Sequence, residues 1–186
     1  MTPCLSSDAS SSSAHWGWIP SSYWGATQPS IPSTLSCGSA AQAHNYRIIK
    51  NLHITHVVNA TAESADAFPS AVRYLCLRLN DDAQQDLSQA LPAASRFIAS
   101  ALRGGSPGVP GGRVLVHCSL GRSRSSVLTL AFLMEHRSWS LLHAFRWLKE
   151  RRGCAAPNAG FLWQLSDYEE QLFGERLTSS PMGELV

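Results

Sequence analysis

The chain has 186 residues, of which 44% are hydrophobic and 15% charged, a composition typical of one globular domain and not of a disordered chain. Fifteen Lys and Arg against 13 Asp and Glu give a formal net charge of +2, which is too small to favour binding to nucleic acid or to a membrane surface. No apolar run approaches the roughly 20 residues of a membrane-spanning helix, and the N-terminus lacks the basic start and apolar block of a signal peptide.

The cysteines favour a reducing compartment. Their number is odd, and their spacing does not suggest a zinc site, so no metal site is predicted. Together with the absent signal peptide, this pattern predicts a location in the cytoplasm, the nucleus or both. The cysteines are Cys4, Cys37, Cys76, Cys118 and Cys154.

Residues 1–30 are rich in Ser and Pro, which predicts a loose N-terminal tail. Aromatic residues such as Trp16, Trp18 and Trp24 are unusual in a tail. Either some of these rings lie against the folded domain, or the segment is a docking peptide for a partner. Residues 175–186 are predicted to form a C-terminal tail.

The chain between the tails predicts alternating strands and helices. A helix is expected over residues 39–52, a strand rich in β-branched residues over 54–60, a second strand over 72–79, and a further helix from Ser88 to about Arg103. A Gly- and Pro-rich connector, residues 104–112, leads to the next strand. This alternation predicts a mainly parallel sheet with right-handed crossovers.

A polar loop, residues 80–88, directly follows the strand that ends at residue 79. It holds three carboxylates, those of Asp81, Asp82 and Asp86. All three stand where an acid on a mobile loop could reach a site at the end of the sheet.

The stretch from Val114 to Ser125 carries the chemistry. A short apolar strand stops at His117-Cys118, and apolar residues recur at helical spacing after Arg124. A loop ahead of a helix N-terminus turns backbone N–H groups inward and forms an anion site. Such a site lowers the pKa of a thiol from about 8.5 to roughly 3.5–7.5 and so favours the nucleophilic thiolate. Arg124 matches phosphate oxygens two at a time, and Gly121 lets the backbone turn.

Two more helices are predicted after the one that begins near Arg124. The first is expected from Ser138 or Ser140 to about Arg152, where Gly153 stops it. The last opens at Pro157-Asn158 and places apolar side chains on one face as far as Leu172.

The sequence contains His117-Cys118, five further residues, Arg124 and Ser125. This motif resembles the signature of the cysteine-dependent protein tyrosine phosphatases, and the residues on either side of it resemble those of the dual-specificity branch. Residues 31–39 resemble the opening strand of that domain, and Pro157-Asn-Ala-Gly-Phe-Leu-Trp-Gln-Leu165 is similar to its last helix. The resemblance covers residues 31–174, and the chain is most similar in kind to the small atypical members of the dual-specificity family. It implies an α/β fold, in which helices flank both faces of a mainly parallel central sheet, and it implies no metal or cofactor.

The resemblance also implies roles for individual residues. Cys118 would be the nucleophile, Asp81 the general acid that comes first in its loop, and Ser125 an aid to thiolate departure. His117 is expected behind the loop, where it would orient Cys118. The residues expected to bind the phosphoryl oxygens are Ser119, Leu120, Gly121, Arg122, Ser123 and Arg124.

No long insertion stands ahead of the sheet to build a deep phosphotyrosine slot, so a shallow pocket is expected. The predicted activity is therefore hydrolysis of phosphotyrosine and also of phosphoserine and phosphothreonine in a phosphorylated protein. Two alternatives stay open: a phosphatase for a non-protein phosphate such as a lipid, RNA or glycan, and a catalytically weak phospho-binding module. Arg122 stands where the family usually has a small or apolar residue. It either selects acidic or multiply phosphorylated substrates or is a solvated arginine.

Overall fold

The computed structural model describes residues 34–103 and 111–184. The predicted N-terminal tail, the first residues of the predicted opening strand and most of the predicted connector lie outside the described residues. The elements in chain order are β1 (Leu35–Ser39), α1 (Ala40–Ala43), α2 (Tyr46–Asn51), β2 (His56–Thr61), β3 (Arg73–Leu79), α3 (Ala90–Arg103), β4 (Val114–Cys118), α4 (Arg124–Arg137), α5 (Leu141–Arg151), α6 (Ala159–Phe173) and α7 (Pro181–Glu184).

The four strands form one parallel sheet in the order β1-β4-β2-β3. Strand β4 lies inside the sheet, where Val114 is in register with Leu35 of β1 and with His56 of β2. The carboxyl ends of the strands therefore share one edge of the sheet, and the loops that follow β2, β3 and β4 meet there. The mainly parallel sheet predicted from the sequence is confirmed.

Alternate residues of β4 face two different helical layers, as the two-residue period of a strand requires. Val114 and Val116 pack into the larger core with helices α3 to α6. Leu115 packs on the other face with Ala43 and Ile49 of the short helices α1 and α2. The predicted helices on both faces are thereby confirmed. In the described part of the chain, no helix combines the length and the apolar character needed to cross a membrane.

The single helix predicted over residues 39–52 is wrong, because the structure has two helices there. Helix α1 ends at Ala43, and Asn45 adopts an extended conformation before α2 begins. The side chain of Asn45 accepts hydrogen bonds from the backbone N–H groups of Arg47 and Ile48. An asparagine that caps a helix in this way satisfies free N–H groups, which favours a new start over a continuous helix.

Residues 175–184, expected to belong to a tail, pack against α5 and α6 through Thr178, which is only 1% exposed. The backbone N–H and the hydroxyl of Thr178 donate to the buried carboxylate of Glu169. The same carboxylate accepts from the backbone N–H of Leu141, and the Thr178 hydroxyl accepts from that of Leu142. Glu169 and Thr178 therefore satisfy the first N–H groups of α5.

Candidate active site

The loop between β4 and α4, residues 119–123 (the phosphate loop), is fixed by hydrogen bonds that other parts of the chain donate to four of its carbonyl oxygens. Those of Ser119 and Arg122 accept from the backbone N–H groups of Ala40 and Ala156, at 3.1 and 2.9 Å. Those of Leu120 and Gly121 accept from the guanidinium of Arg152, at 3.4 and 2.6 Å. The N–H of a trans peptide points opposite to its carbonyl, so the amides of residues 120–123 face inward. The loop therefore turns the four backbone N–H groups of residues 120–123 toward its centre.

Gly121 allows this conformation in two ways. Its φ of 70° lies in the left-handed region, which glycine adopts without steric cost. A Cβ at this position would also collide with the backbone of Gly38 and with the Arg152 guanidinium. Any other residue here would push the loop away from β1 and from Arg152.

Cys118 is the last residue of β4 and is only 2% exposed, so its sulfur forms the floor of the loop. The sulfur accepts a hydrogen bond from the backbone N–H of Gly121 at 3.2 Å and lies 3.4 Å from the hydroxyl of Ser125. Ser125, in the first turn of α4, is fully buried. The structure thus brings together the sulfur, the loop amide and the hydroxyl.

Cys37 of β1 is a neighbour of this site that sequence analysis missed. Burial raises the pKa of its thiol, so Cys37 stays protonated, and the thiol donates to the Ser125 hydroxyl oxygen at 3.4 Å. An oxygen that accepts from Cys37 can turn its own hydrogen toward Cys118. Cys37 reaches the site because β1 pairs in parallel with β4, which no local pattern in the sequence marks.

Arg124 begins α4 and is 7% exposed. Its guanidinium donates to the carbonyl oxygen of Leu79 at 3.0 Å and to the hydroxyl of Ser119 at 2.8 Å. Its Nε lies 3.8 Å from Asp81 Oδ2 and makes no hydrogen bond with the residues that the structure describes. The guanidinium is therefore fixed at its outer nitrogens, while Nε remains available.

Glu63, in the loop after β2, is a further residue that the sequence analysis did not single out. Its carboxylate accepts from the Ser119 hydroxyl and from Arg124, whose Nη1 lies 3.3 Å from Oε2. These hydrogen bonds, the one from Ser119 first, lower the pKa of Glu63 to about 2. Glu63 could have been found from the rule that loops at the carboxyl ends of neighbouring parallel strands meet.

Asp81 is the acidic residue of the polar loop that reaches the phosphate loop. Its Oδ1 accepts from the hydroxyl of Ser123 at 2.6 Å and from the side-chain amide of Asn158 at 3.0 Å. The backbone N–H of Asn158 donates in turn to the Ser123 hydroxyl at 3.1 Å. The three side chains form one network, which joins the polar loop of residues 80–88 (the acid loop) to the phosphate loop and to the start of α6.

The other two carboxylates of this loop make local contacts. Asp82 accepts from the backbone N–H of Gln84 at 2.8 Å. Asp86 accepts from the backbone N–H and the hydroxyl of Ser88, and these bonds lower its pKa. Both contacts turn these carboxylates into the loop itself, whereas Asp81 points toward the site.

His117 lies inside the sheet next to Cys118 and is 1% exposed. Successive residues of a strand face opposite sides of the sheet, so its ring points away from the face that carries the sulfur. Burial lowers its pKa, which keeps the ring neutral at pH 7. Its place behind the loop and its role in orienting Cys118 stay predictions.

Residues 34–103 and 111–184 contain no group of three or more His, Cys, Asp or Glu side chains that could hold a metal ion. The groups that the structure gathers at the site are a sulfur, a guanidinium, backbone amides and carboxylates. This set can bind a tetrahedral oxyanion, supply a nucleophile to its centre and pass a proton to a departing oxygen.

The catalytic domain model of the dual specificity phosphatases matches residues 36–171. Dual specificity protein phosphatase 26 from Bos taurus is 39% identical over 143 residues, which cover 74% of this chain and 65% of that protein. The crystal structure of human DUSP28 aligns with a TM-score of 0.70 and 34% identity, over 76% of this chain and 95% of that one. A probable rhodanese domain-containing dual specificity protein phosphatase from Dictyostelium discoideum is 35% identical over 76% of this chain, which spans only 29% of that relative's length.

Proposed function

The chain belongs to the dual specificity phosphatase family, and we propose that it hydrolyses phosphotyrosine, phosphoserine and phosphothreonine in proteins through a cysteinyl-phosphate intermediate. One observation carries the proposal. The sulfur of Cys118 lies at the floor of a loop whose carbonyls at residues 119–122 are bound from outside, beside a guanidinium whose Nε makes no hydrogen bond within the described residues. This is a place for a phosphoryl group above a nucleophile.

In the first step, the inward amides of residues 120–123 and Nε of Arg124 bind the phosphoryl oxygens and stabilise the charge that spreads over them in the transition state. The Cys118 thiolate attacks phosphorus, and a sulfur–phosphorus bond forms while the bond to the leaving oxygen breaks. Asp81 gives its proton to that oxygen, which departs as an alcohol or a phenol.

In the second step, water attacks the same phosphorus, and the Asp81 carboxylate takes the proton of that water. The sulfur–phosphorus bond breaks, inorganic phosphate leaves, and Cys118 returns to the thiolate. The hydroxyl of Ser125, oriented by the Cys37 thiol, donates to the departing sulfur. Both proton transfers are thereby assigned to groups that lie within the site.

The proposed partner is a phosphorylated protein, and the proposed location is the cytoplasm or the nucleus, where a thiolate nucleophile stays reduced. Arg122 is exposed on the phosphate loop, and its guanidinium has no ion pair or hydrogen bond within the described residues. It supports a preference for phosphopeptides with an acidic residue beside the phosphorylated one.

The test is substrate scope in one assay. The purified protein is given matched peptides that carry phosphotyrosine or phosphothreonine, a phosphoinositide and a 5′-phosphorylated RNA, and phosphate release is measured, with Cys118→Ser as the background. The proposal expects release from both peptides at higher kcat/KM than from the lipid or the RNA. Release confined to the lipid or the RNA would contradict the protein substrate, and no release from any of them would contradict the activity.

A further inference from the structure

Helix α6 begins with the Pro157–Leu165 motif, whose contacts with the acid loop reach well beyond Asp81. At Gly160, an added Cβ would overlap the backbone of Ala83, so the loop lies directly on this helix. Gly160 and Gln164 are four residues apart and therefore share one face of α6. That face is the one on which the acid loop rests.

Gln164 binds two peptide groups of the loop with one side-chain amide. Its Oε1 accepts from the backbone N–H of Leu87 at 2.8 Å, and its Nε2 donates to the backbone carbonyl of Gln85, also at 2.8 Å. Leu87 is fully buried, so these bonds join the loop to the core at its far end. A glutamine amide offers both a donor and an acceptor, which a carboxylate or an aliphatic side chain cannot.

The side chain of Gln85 carries this anchor back toward Asp81. Its Oε1 accepts from the backbone N–H of Asn80 at 3.0 Å, and its Nε2 donates to the carbonyl of Asp86 at 3.0 Å. Gln164 thus fixes the backbone of Gln85, and Gln85 fixes the residue that precedes Asp81. Asn158 and Ser123 hold only the carboxylate itself.

We propose that Gln164 is a positioning residue for the general acid, which keeps the loop of residues 80–88 closed so that Asp81 meets the leaving oxygen. The inference rests on the proposed function and deepens it. It gives the Pro157–Leu165 motif a place in the reaction. Asp81 would remain tied to Asn158 and Ser123 without Gln164, but the loop behind it would lose its two hydrogen bonds to α6.

The test compares aryl phosphates whose leaving groups differ in pKa. Gln164→Leu keeps most of the volume and loses both hydrogen bonds, and it should lower kcat/KM for poor leaving groups roughly 10- to 100-fold, the usual cost of a misplaced catalytic group. Very acidic leaving groups depart without a proton, so their kcat/KM, which does not include the later hydrolysis of the intermediate, should stay at the wild-type value. KM should change little, because the phosphate loop is untouched. Gln164→Glu keeps the acceptor for Leu87, so its kcat/KM for poor leaving groups should lie between those of the wild type and Gln164→Leu.

Gln171→Leu is the matched control, since Gln171 lies exposed on the same helix and should behave as wild type. Hydrogen exchange gives a readout independent of turnover: the amide of Leu87 should exchange faster in Gln164→Leu, while amides of β4 should not. An equal loss for good and poor leaving groups, no loss at all, or an unchanged Leu87 amide would overturn the inference. Inactivity of the wild-type protein would refute the proposed function and the inference together, whereas an active wild type with an unaltered leaving-group dependence in Gln164→Leu refutes the inference alone.

Discussion

Asp81→Asn removes the proton that the leaving oxygen needs while it preserves the surroundings of the side chain. The new amide oxygen can still accept from Ser123 and Asn158, which lie 2.6 and 3.0 Å from Asp81 Oδ1, so the loop should keep its place. The expected loss in kcat/KM, which does not include the second step where Asp81 acts as the base, is that of general acid catalysis alone, roughly 10²–10⁴-fold for poor leaving groups. This range corresponds to about 3–5 kcal/mol in the activation barrier.

The assay is kcat/KM across a series of aryl phosphates, and its controls are Asp82→Asn and Asp86→Asn. Asp82 accepts from Gln84 and Asp86 from Ser88, so both contacts lie within the loop, and neither variant should steepen the dependence on the leaving group. The loss in Asp81→Asn should shrink as the leaving group becomes more acidic. A leaving-group dependence that appears in Asp82→Asn and not in Asp81→Asn would refute the assignment.

Three further outcomes are expected. Arg124→Lys keeps the charge but loses the planar fork, so kcat/KM should fall by orders of magnitude, and a near-normal value would make Arg124 structural only. Glu63→Gln should lower kcat/KM only severalfold, because a half-exposed ion pair contributes at most about 1 kcal/mol. Since the folded-state pKa of Glu63 is about 2 against an ordinary 4.5, its ionisation stabilises the fold above pH 4.5, and this contribution is lost as the pH falls toward 2. The same variant should therefore show a weaker pH dependence of stability in that window, and an unchanged one would contradict the ion pair. His117 has a pKa below its ordinary 6.5, so the unfolded chain binds more protons as the pH falls below 6.5. The melting temperature should then drop from pH 7.5 to 5.5, and His117→Asn should make that drop smaller.

The phosphate loop could be predicted because its residues are neighbours in the sequence. Cys118 and Arg124 are six positions apart, and the strand before them and the helix after them are visible in the apolar pattern. Asp81 was chosen among three carboxylates because its loop resembled a family pattern. The structure gives a physical reason for that choice, since Asp81 contacts the phosphate loop whereas Asp82 and Asp86 bond within their own.

The residues that sequence analysis missed reach the site from distant parts of the chain. Glu63 is 61 positions from its partner Arg124, Asn158 is 77 from Asp81, and Cys37 is 88 from Ser125. No local pattern marks such a pairing, because it depends on which loops the strand order β1-β4-β2-β3 brings to one edge. The break at Asn45 was missed for a different reason, since an asparagine side chain competes with the backbone for helical N–H groups.

The packing of Thr178 on Glu169 was equally invisible in the sequence. A buried carboxylate that binds the first N–H of α5 needs a partner hydroxyl, and the chain provides it from a segment with the composition of a tail. Buried polar groups such as Thr178 are hydrogen-bonded as a rule, and the apolar pattern of the sequence does not mark these contacts.

The central claim is that the phosphoryl group is transferred to the sulfur of Cys118 before water releases it. The purified protein is mixed with excess aryl phosphate, and the reaction is quenched in acid within one turnover. The protein is then digested, and the mass of the peptide that contains residue 118 is measured by mass spectrometry. Cys154→Ser serves as the matched control, because Cys154 is an exposed cysteine of the α5–α6 loop. The account predicts one added phosphoryl group on the Cys118 peptide in the wild-type protein and in Cys154→Ser, and neither that group nor any turnover in Cys118→Ser. Sustained turnover in Cys118→Ser, or a phosphoryl group on another residue, would contradict it.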